Sequence, residues 1–184
     1  ETSSPAAQPE AAPPMDSAAM MKAWQEYATP GEMHAMLAKS DGVWNADVTM
    51  WMNPDAPPAK STATVTNRMI LGGRYQEAKH SGSFEGMPFE GISILGYDNA
   101  KKKFVNTWID NMGSGIMMME GTWDETSKTI HFTGNQIDPM TGSDMEVRQT
   151  LKIADDNHHI MEMYMKYPGS EEYKSLEIHY TRAM

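Results

Sequence analysis

The sequence predicts an all-β fold: an antiparallel up-and-down β-barrel of about ten strands, preceded by two short α-helices. From Val43 to the C-terminus apolar residues alternate with a period of two, which indicates strands with one buried face. Short clusters of Gly, Asn, Asp, Ser and Pro interrupt this stretch at regular intervals, as hairpin turns require. No helical pattern separates the strands, so a parallel βαβ sheet is excluded. Ten consecutive strands then need closure to leave no open edge.

Composition restricts the class of protein and of partner. At 184 residues the chain has the length of one domain. Its formal charge of -10 argues against nucleic acid or an anionic membrane surface as a partner. No apolar run approaches the roughly 20 residues of a membrane-spanning helix. The absence of cysteine excludes disulfides and cysteine nucleophiles, and the 19 methionines indicate a soft, adaptable core.

The pattern divides the chain into three segments. Residues 1–14 are rich in Pro and Ala without apolar periodicity, which predicts a disordered tether. Residues 15–40 hold the helices, and residues 41–184 form the barrel domain. A mature chain that starts in this way often follows a removed signal segment. We therefore expect an extracytoplasmic location, periplasmic or secreted, with lipid anchoring through such a segment as one form of it.

Two helix starts precede the barrel. Asp16 is a candidate N-cap for a helix over Ser17–Tyr27. Thr29 is expected to cap a second helix, with Pro30 at its first position and Glu32 at its third. Helices in this position either plug the barrel as a lid or pack on its outside, and the sequence leaves both open.

The alternation divides into ten strands joined by short turns. Gly72-Gly73 suits a two-residue turn. The segments 85–88 and 155–157 are expected to form turns of four and three residues. The predicted strands are 43–53, 61–71, 74–84, 88–98, 103–112, 115–124, 128–137, 144–154, 158–167 and 174–183.

Cross-strand partners share a face of the sheet. The predicted turns fix which residues are partners, and they therefore determine which side chains point into the barrel. The predicted register places His80 opposite Ser93, Ser93 opposite Trp108, and Gly91 opposite Asp110, all facing inward. The small side chains at 91 and 93 are expected to leave room beside the indole. The same register puts most Glu, Lys and Arg residues on the outer face. A single assignment of inner and outer faces is therefore consistent for all ten strands.

Several short motifs in order along the chain carry a resemblance to a known family. They include Gly72-Gly73-Arg74-Tyr75, Gly86-Met87-Pro88-Phe89-Glu90-Gly91, Thr107-Trp108-Ile109-Asp110, Asp138-Pro139-Met140-Thr141-Gly142 and Glu177-Ile178-His179-Tyr180-Thr181-Arg182. With these motifs the sequence resembles the bacterial domain-of-unknown-function family 1579 (DUF1579), from about Pro30 to Arg182. The resemblance implies a lipocalin-like (calycin-like) β-barrel. It brings no established reaction and therefore no catalytic residues.

The inward face predicts a pocket for a small, mainly hydrophobic molecule. Ligand sites are mostly apolar with a few directed polar groups, and ten strands enclose more space than eight. A filled core is the alternative, in which His80 and Asp110 satisfy each other, Arg182 closes the barrel end, and the protein is a structural or interaction module. The residues expected to bind the ligand are Trp44, Met69, His80, Ser93, Asn106, Trp108, Asp110, Met119, Gln149, Met163, Tyr180 and Arg182.

Other chemistries stay open on the same face, although the sequence predicts no cofactor and no metal. His80 is a candidate axial ligand for haem. His80 and Asp110 are also a candidate base and orienter for a hydrolase- or isomerase-like reaction. His158-His159 is expected to be a solvent-exposed turn, since adjacent strand residues point to opposite faces and chelate poorly together. Inward thioethers are potential Cu(I) ligands, and they belong to Met50, Met52, Met117, Met119, Met161, Met163 and Met165.

Overall fold

The computed structural model describes residues 16–184 and confirms the predicted fold class; the tether predicted for residues 1–14 lies outside the described residues. Ten antiparallel strands form one closed barrel, in which the first strand pairs with the last. Neither helix of the described segment has the length and apolar character needed to span a membrane. The elements are α1 (Ser17–Ala28), α2 (Glu32–Ala38), β1 (Gly42–Met50), β2 (Ala59–Ile70), β3 (Tyr75–Phe84), β4 (Met87–Asp98), β5 (Lys103–Asp110), β6 (Met117–Asp124), β7 (Thr129–Ile137), β8 (Asp144–Ile153), β9 (His158–Lys166) and β10 (Tyr173–Arg182).

The helix starts differ in how well the sequence predicts them. α1 begins as expected, with Asp16 Oδ1 accepting from the backbone N–H of Ala18 at 3.1 Å. The predicted cap of α2 is wrong, because Gly31 is its N-cap and Glu32 its first residue. Thr29 instead ends α1 with an extended backbone, the conformation that a residue before proline prefers.

α2 plugs one end of the barrel, which we call the closed end, whereas α1 lies outside with no buried residue. Leu37 of α2 is 3% exposed and belongs to the barrel core. Gln76 on the inner wall donates through Nε2 to the carbonyl of Leu37 at 2.7 Å. Trp44 donates through Nε1 to the carbonyl of Ser40 at 2.8 Å. Of the two interpretations left open by the sequence, the plug holds for α2 and outside packing for α1.

The observed register confirms that one face of all ten strands points inward, and it corrects one hairpin. Glu85 and Gly86 form a two-residue turn, with φ values of 47° and 81°, as a type I′ turn requires. Phe84 then pairs with Met87, and His80 pairs with Gly91. The predicted His80–Ser93 pair is therefore wrong by two positions. A shift of two keeps every side chain on its predicted face.

The core lies at the closed end and along the inward faces of the strands. Met52 was expected to face inward, but β1 ends at Met50 and the Met52 side chain is 64% exposed. The buried core residues are Leu37, Trp44, Ala46, Val65, Leu95, Phe104, Met119, Ile130, Phe132, Val147, Met161, Met163 and Ile178.

Candidate functional site

The exposure of inward side chains changes along the barrel. Near the closed end Trp44, Phe104 and Ile130 are at most 1% exposed, so this half is filled. Away from it many inward side chains keep part of their surface accessible, although they point into the barrel. These half-buried residues include Val48, Met50, Ala63, His80, Phe89, Trp108, Asp110, Met117, Met165, Leu176 and Tyr180. The barrel is thus packed solid below α2 and less tightly filled towards its open end.

Four of these side chains meet in an aromatic cluster, formed by His80, Phe89, Trp108 and Tyr180. The His80 and Trp108 rings contact edge to face, with centroids 4.9 Å apart. Tyr180 lies beyond His80 with centroids 6.5 Å apart, and Phe89 stacks on Trp108 at 6.3 Å. The cluster joins β3, β4, β5 and β10, so it reaches across the barrel interior. Its flat apolar faces suit contact with an aromatic or aliphatic molecule.

A row of small side chains crosses the wall between the two ends of this cluster. The register pairs Tyr180 with Ala46, Ala46 with Ala63, Ala63 with Gly82, and Gly82 with Phe89. Three successive strands therefore present no side chain larger than a methyl group between Tyr180 and Phe89. This part of the wall therefore projects no large side chain towards the aromatic cluster.

Trp108 is held in place from two sides. A Cβ added at Gly91 would lie 2.4 Å from the Trp108 ring, so the indole fills the space above that glycine. The room expected beside Trp108 at Gly91 is therefore taken by the indole itself. Its Nε1 donates to Asp110 Oδ2 at 2.6 Å, and the other carboxylate oxygen accepts from the backbone N–H of Met112 at 2.9 Å.

His80 and Tyr180 are the polar members of the aromatic cluster, and neither forms a hydrogen bond within residues 16–184. Burial lowers the pKa of His80 to about 4, since the surrounding protein disfavours the charged ring. Burial likewise raises the pKa of the Tyr180 hydroxyl. Both side chains are neutral at pH 7. No fully buried polar side-chain atom in residues 16–184 lacks a partner, so the unpaired polar atoms of His80 and Tyr180 keep accessible surface.

The pairing of His80 with Asp110 expected for an enzyme, or for a filled core, is not formed in the described part of the chain. The Asp110 carboxylate is engaged by Trp108 and Met112 instead. Ser93, the neighbour of Trp108 across the strands as predicted, donates to Asn106 Oδ1 at 2.7 Å. Neither a base with its orienter nor an activated hydroxyl results from this arrangement.

Arg182 closes the barrel end. Its guanidinium donates to the carbonyls of Lys39, Asp41 and Asp156 at 2.7, 2.7 and 2.9 Å. It also lies 4.3 Å over the ring of Trp44, a cation–π contact. These contacts tie the last strand to the segment between α2 and β1, as the filled-core interpretation expected of Arg182.

His159 also packs against Trp44, and it is not among the residues predicted from the sequence. Its ring lies 4.4 Å from that of Trp44 and is 8% exposed. Burial, together with the nearby Arg182 charge, lowers the pKa of His159 to about 4. The expectation of a wholly solvent-exposed turn holds for His158 alone, which contacts Asp155. The alternation that points His158 outward also points its neighbour inward, and that signal was available.

The residues predicted to bind a ligand fall into two groups. His80, Trp108, Asp110 and Tyr180 belong to or adjoin the aromatic cluster. Phe89 joins them, although it is not among the predicted residues. Phe89 lies two residues before Gly91 on the same strand, so the predicted register already places its side chain on the inner face. The others lie in or beside the filled half: Trp44, Met69, Asn106, Met119, Gln149, Met163 and Arg182, with Ser93 between the two groups.

The candidate metal ligands are dispersed or buried in the core. Within residues 16–184, no group of three or more His, Cys, Asp or Glu side chains could hold a metal ion. Met161 and Met163 are 8% exposed and pack with Met119 in the core. Met119, Met161 and Met163 therefore act here as flexible apolar filling.

Comparisons with known proteins agree with this architecture. The sequence model of the family described as "Protein of unknown function (DUF1579)" matches residues 29–182. The crystal structure of Rv2717c from M. tuberculosis has a TM-score of 0.63 at 14% identity, covering 85% of this chain and 100% of that one. The S-type phycobiliprotein lyase CPES from Guillardia theta has a TM-score of 0.58 at 11% identity, covering 88% and 97%. The likeness to these two solved structures shows the fold alone. A search of curated proteins finds no match.

Proposed function

This chain belongs to the DUF1579 family, and from that premise we propose that it binds a small, mainly hydrophobic molecule in the open half of its barrel. The observation that carries the proposal is the contrast between the two halves of the interior. Below α2 the large inward side chains of Trp44, Phe104 and Ile130 are at most 1% exposed. At the aromatic cluster, large inward side chains keep accessible surface beside the row of small residues. A protein whose only task was to fold has no need to leave this part unfilled.

The chemistry of the wall supports an apolar ligand. Trp108 and Phe89 supply flat contact area, and Met117 and Met165 supply deformable surface on the inward faces of β6 and β9. The fold neighbour described as a phycobiliprotein lyase is consistent with a barrel of this kind serving a small molecule. The proposal requires no cofactor.

Titration with the uncharged fluorescent probe N-phenyl-1-naphthylamine tests the proposal. We expect saturable binding with one site per chain, because the barrel contains one such aromatic cluster. Trp108→Ala removes the largest contact surface of the aromatic cluster and should weaken binding about 10-fold or more, corresponding to about 1.4 kcal/mol. Trp24→Ala is the matched control, since Trp24 is 62% exposed on α1 and its loss should leave binding unchanged.

Two results would end the proposal. One is absence of saturable probe binding to the folded wild-type protein; the other is equal weakening by the Trp108 and Trp24 substitutions. Native mass spectrometry of protein purified from its own host complements the titration. A retained mass of a small organic molecule is the expected result, and a haem or copper adduct would identify a different ligand class.

A further inference from the structure

We infer that the ligand is electrically neutral and carries a polar group that hydrogen-bonds His80 and Tyr180, and that the barrel discriminates against carboxylates and ammonium groups. This inference rests on the proposed function and specifies the class of molecule that the open half accepts. Three observations carry it: the charged residues on the inner wall, their existing partners, and the two polar groups left without partners.

Few inward positions carry an ionisable group. The register assigns every position of β1 to β10 to the inner or outer face. Besides tyrosines, the inward positions of these strands hold His80, Asp110, His159 and Arg182. Lys and Glu residues of the same strands face outward, where they form pairs such as Lys103–Glu120 and Lys174–Glu177.

Both fixed charges on the inner wall already have partners. Arg182 donates to three backbone carbonyls at the closed end, which orients its guanidinium away from the aromatic cluster. Asp110 accepts from the indole of Trp108 and from the backbone of Met112. His159 lies against Trp44 in the filled half. An incoming carboxylate therefore meets no free cation, and an ammonium meets an anion that is already occupied.

Burying an ion without a counter-charge is costly. The effective penalty per ion in proteins exceeds the gain from burying a few methylene groups of a ligand. The chain's formal charge of -10 adds long-range repulsion for anions approaching the barrel. Electrostatics thus favour uncharged molecules over their acidic analogues of the same shape.

His80 and Tyr180 supply the complementary hydrogen bonds. A neutral imidazole has one N–H donor and one acceptor nitrogen, and a phenol both donates and accepts. Their rings are 6.5 Å apart, so both border the same space. Neither has a hydrogen-bond partner within residues 16–184. A carbonyl, hydroxyl or amide group of a ligand would satisfy them without bringing a charge into the barrel.

Four competitors with one ring system test the inference by displacing bound N-phenyl-1-naphthylamine: 2-acetylnaphthalene, naphthalene, 2-naphthoate and 2-naphthylmethylammonium. At pH 7.5 the ketone should displace the probe best. The carboxylate and the ammonium should require at least about 10-fold higher concentrations. The ketone should also exceed unsubstituted naphthalene by about 5-fold or more, as one hydrogen bond to a neutral group predicts.

Two variants assign the preference to its residues. His80→Phe and Tyr180→Phe keep an aromatic ring at each position but remove its polar group, and they should bring the ketone down to the affinity of naphthalene while the probe still binds. Tyr173→Phe, which removes a hydroxyl from the same strand in the tyrosine pair with Tyr167, is the matched control and should keep the preference for the ketone.

The outcomes separate this inference from the proposed function. If the probe does not bind at all, the proposed function fails. If the probe binds but 2-naphthoate or the ammonium competes as well as the ketone, the neutral-ligand inference alone is refuted. Retention of the ketone's advantage in both phenylalanine variants would equally refute the assignment to His80 and Tyr180.

Discussion

Replacing Gly91 by alanine should destabilise the barrel through Trp108. The added Cβ would lie 2.4 Å from the indole Cη2 and 2.5 Å from Cζ2, more than an ångström inside an ordinary carbon–carbon contact. The ring must retreat into the interior and strain its 2.6 Å hydrogen bond to Asp110. Overpacking of this kind costs about 1–3 kcal/mol, and losing a hydrogen bond to a charged group adds about 1.5–3 kcal/mol.

Two effects reduce the expected loss. Alanine lowers the backbone entropy of the unfolded chain relative to glycine, which restores about 0.5–1 kcal/mol, and the half-buried indole has room to move. We therefore expect the free energy of unfolding to fall by about 2–3 kcal/mol in urea titrations followed by far-UV circular dichroism. Gly115→Ala is the control, because nothing lies within 4 Å of its added Cβ.

The double variant Gly91→Ala/Trp108→Phe tests the mechanism directly. A phenyl ring is shorter than an indole and should relieve the clash. The double variant should therefore lose at least about 1 kcal/mol less free energy of unfolding than the sum of the two single losses. The reasoning is refuted if Gly91→Ala unfolds within about 0.5 kcal/mol of wild type. It is refuted equally if the two single effects are additive.

Three further predictions concern the closed end and α1. Arg182→Ala should lower the free energy of unfolding by about 2–4 kcal/mol in urea, since it removes hydrogen bonds to three carbonyls; Arg68→Ala, at an exposed ion pair, should cost less than about 1 kcal/mol. The pKa of His159 is lowered to about 4, so on acidification the unfolded chain binds a proton at this residue before the native protein does. The contribution of His159 to stability is therefore fully present above about pH 6.5 and falls as the pH drops towards 4. The variant His159→Phe should show a smaller loss between urea titrations at pH 7.5 and 4.5, and an unchanged loss would contradict this. Asn99→Ala removes donors to the carbonyls of Tyr27 and Thr29, so amide hydrogen exchange in α1 should accelerate while exchange in the strands stays constant.

The barrel was predictable because its determinants are local. Alternation with period two assigns a face to every side chain, and short turns fix neighbouring strands to one another. The hairpin at Glu85-Gly86 shows how robust this is: the predicted turn was two residues too long, yet His80 remained on the inner face because the error was even. An error of one residue would have turned β3 outward.

The predictions that failed concern features that alternation and turn residues do not determine. The start of α2 was misassigned because Thr29, Pro30 and Glu32 satisfy a capping pattern, whereas Gly31 is where the chain turns into the barrel end. The engagement of Asp110 by Trp108 rather than His80 depends on side-chain conformations that alternation does not determine. The division of the interior into a filled and an open half follows from α2 docking on Gln76 and Trp44, contacts without a sequence pattern.

The seam between β1 and β10 has a consequence for the order of folding. Every other strand pairing joins neighbours in sequence and forms with a small loss of chain entropy, but this one unites the two ends of the sheet, with Arg182 contacting Asp41 141 positions away. Closure is therefore expected after the hairpins have formed. Until then the meander has two unpaired edges, and a second chain could complete them by strand exchange. The contacts of Arg182 with the segment before β1 favour closure within one chain over such exchange.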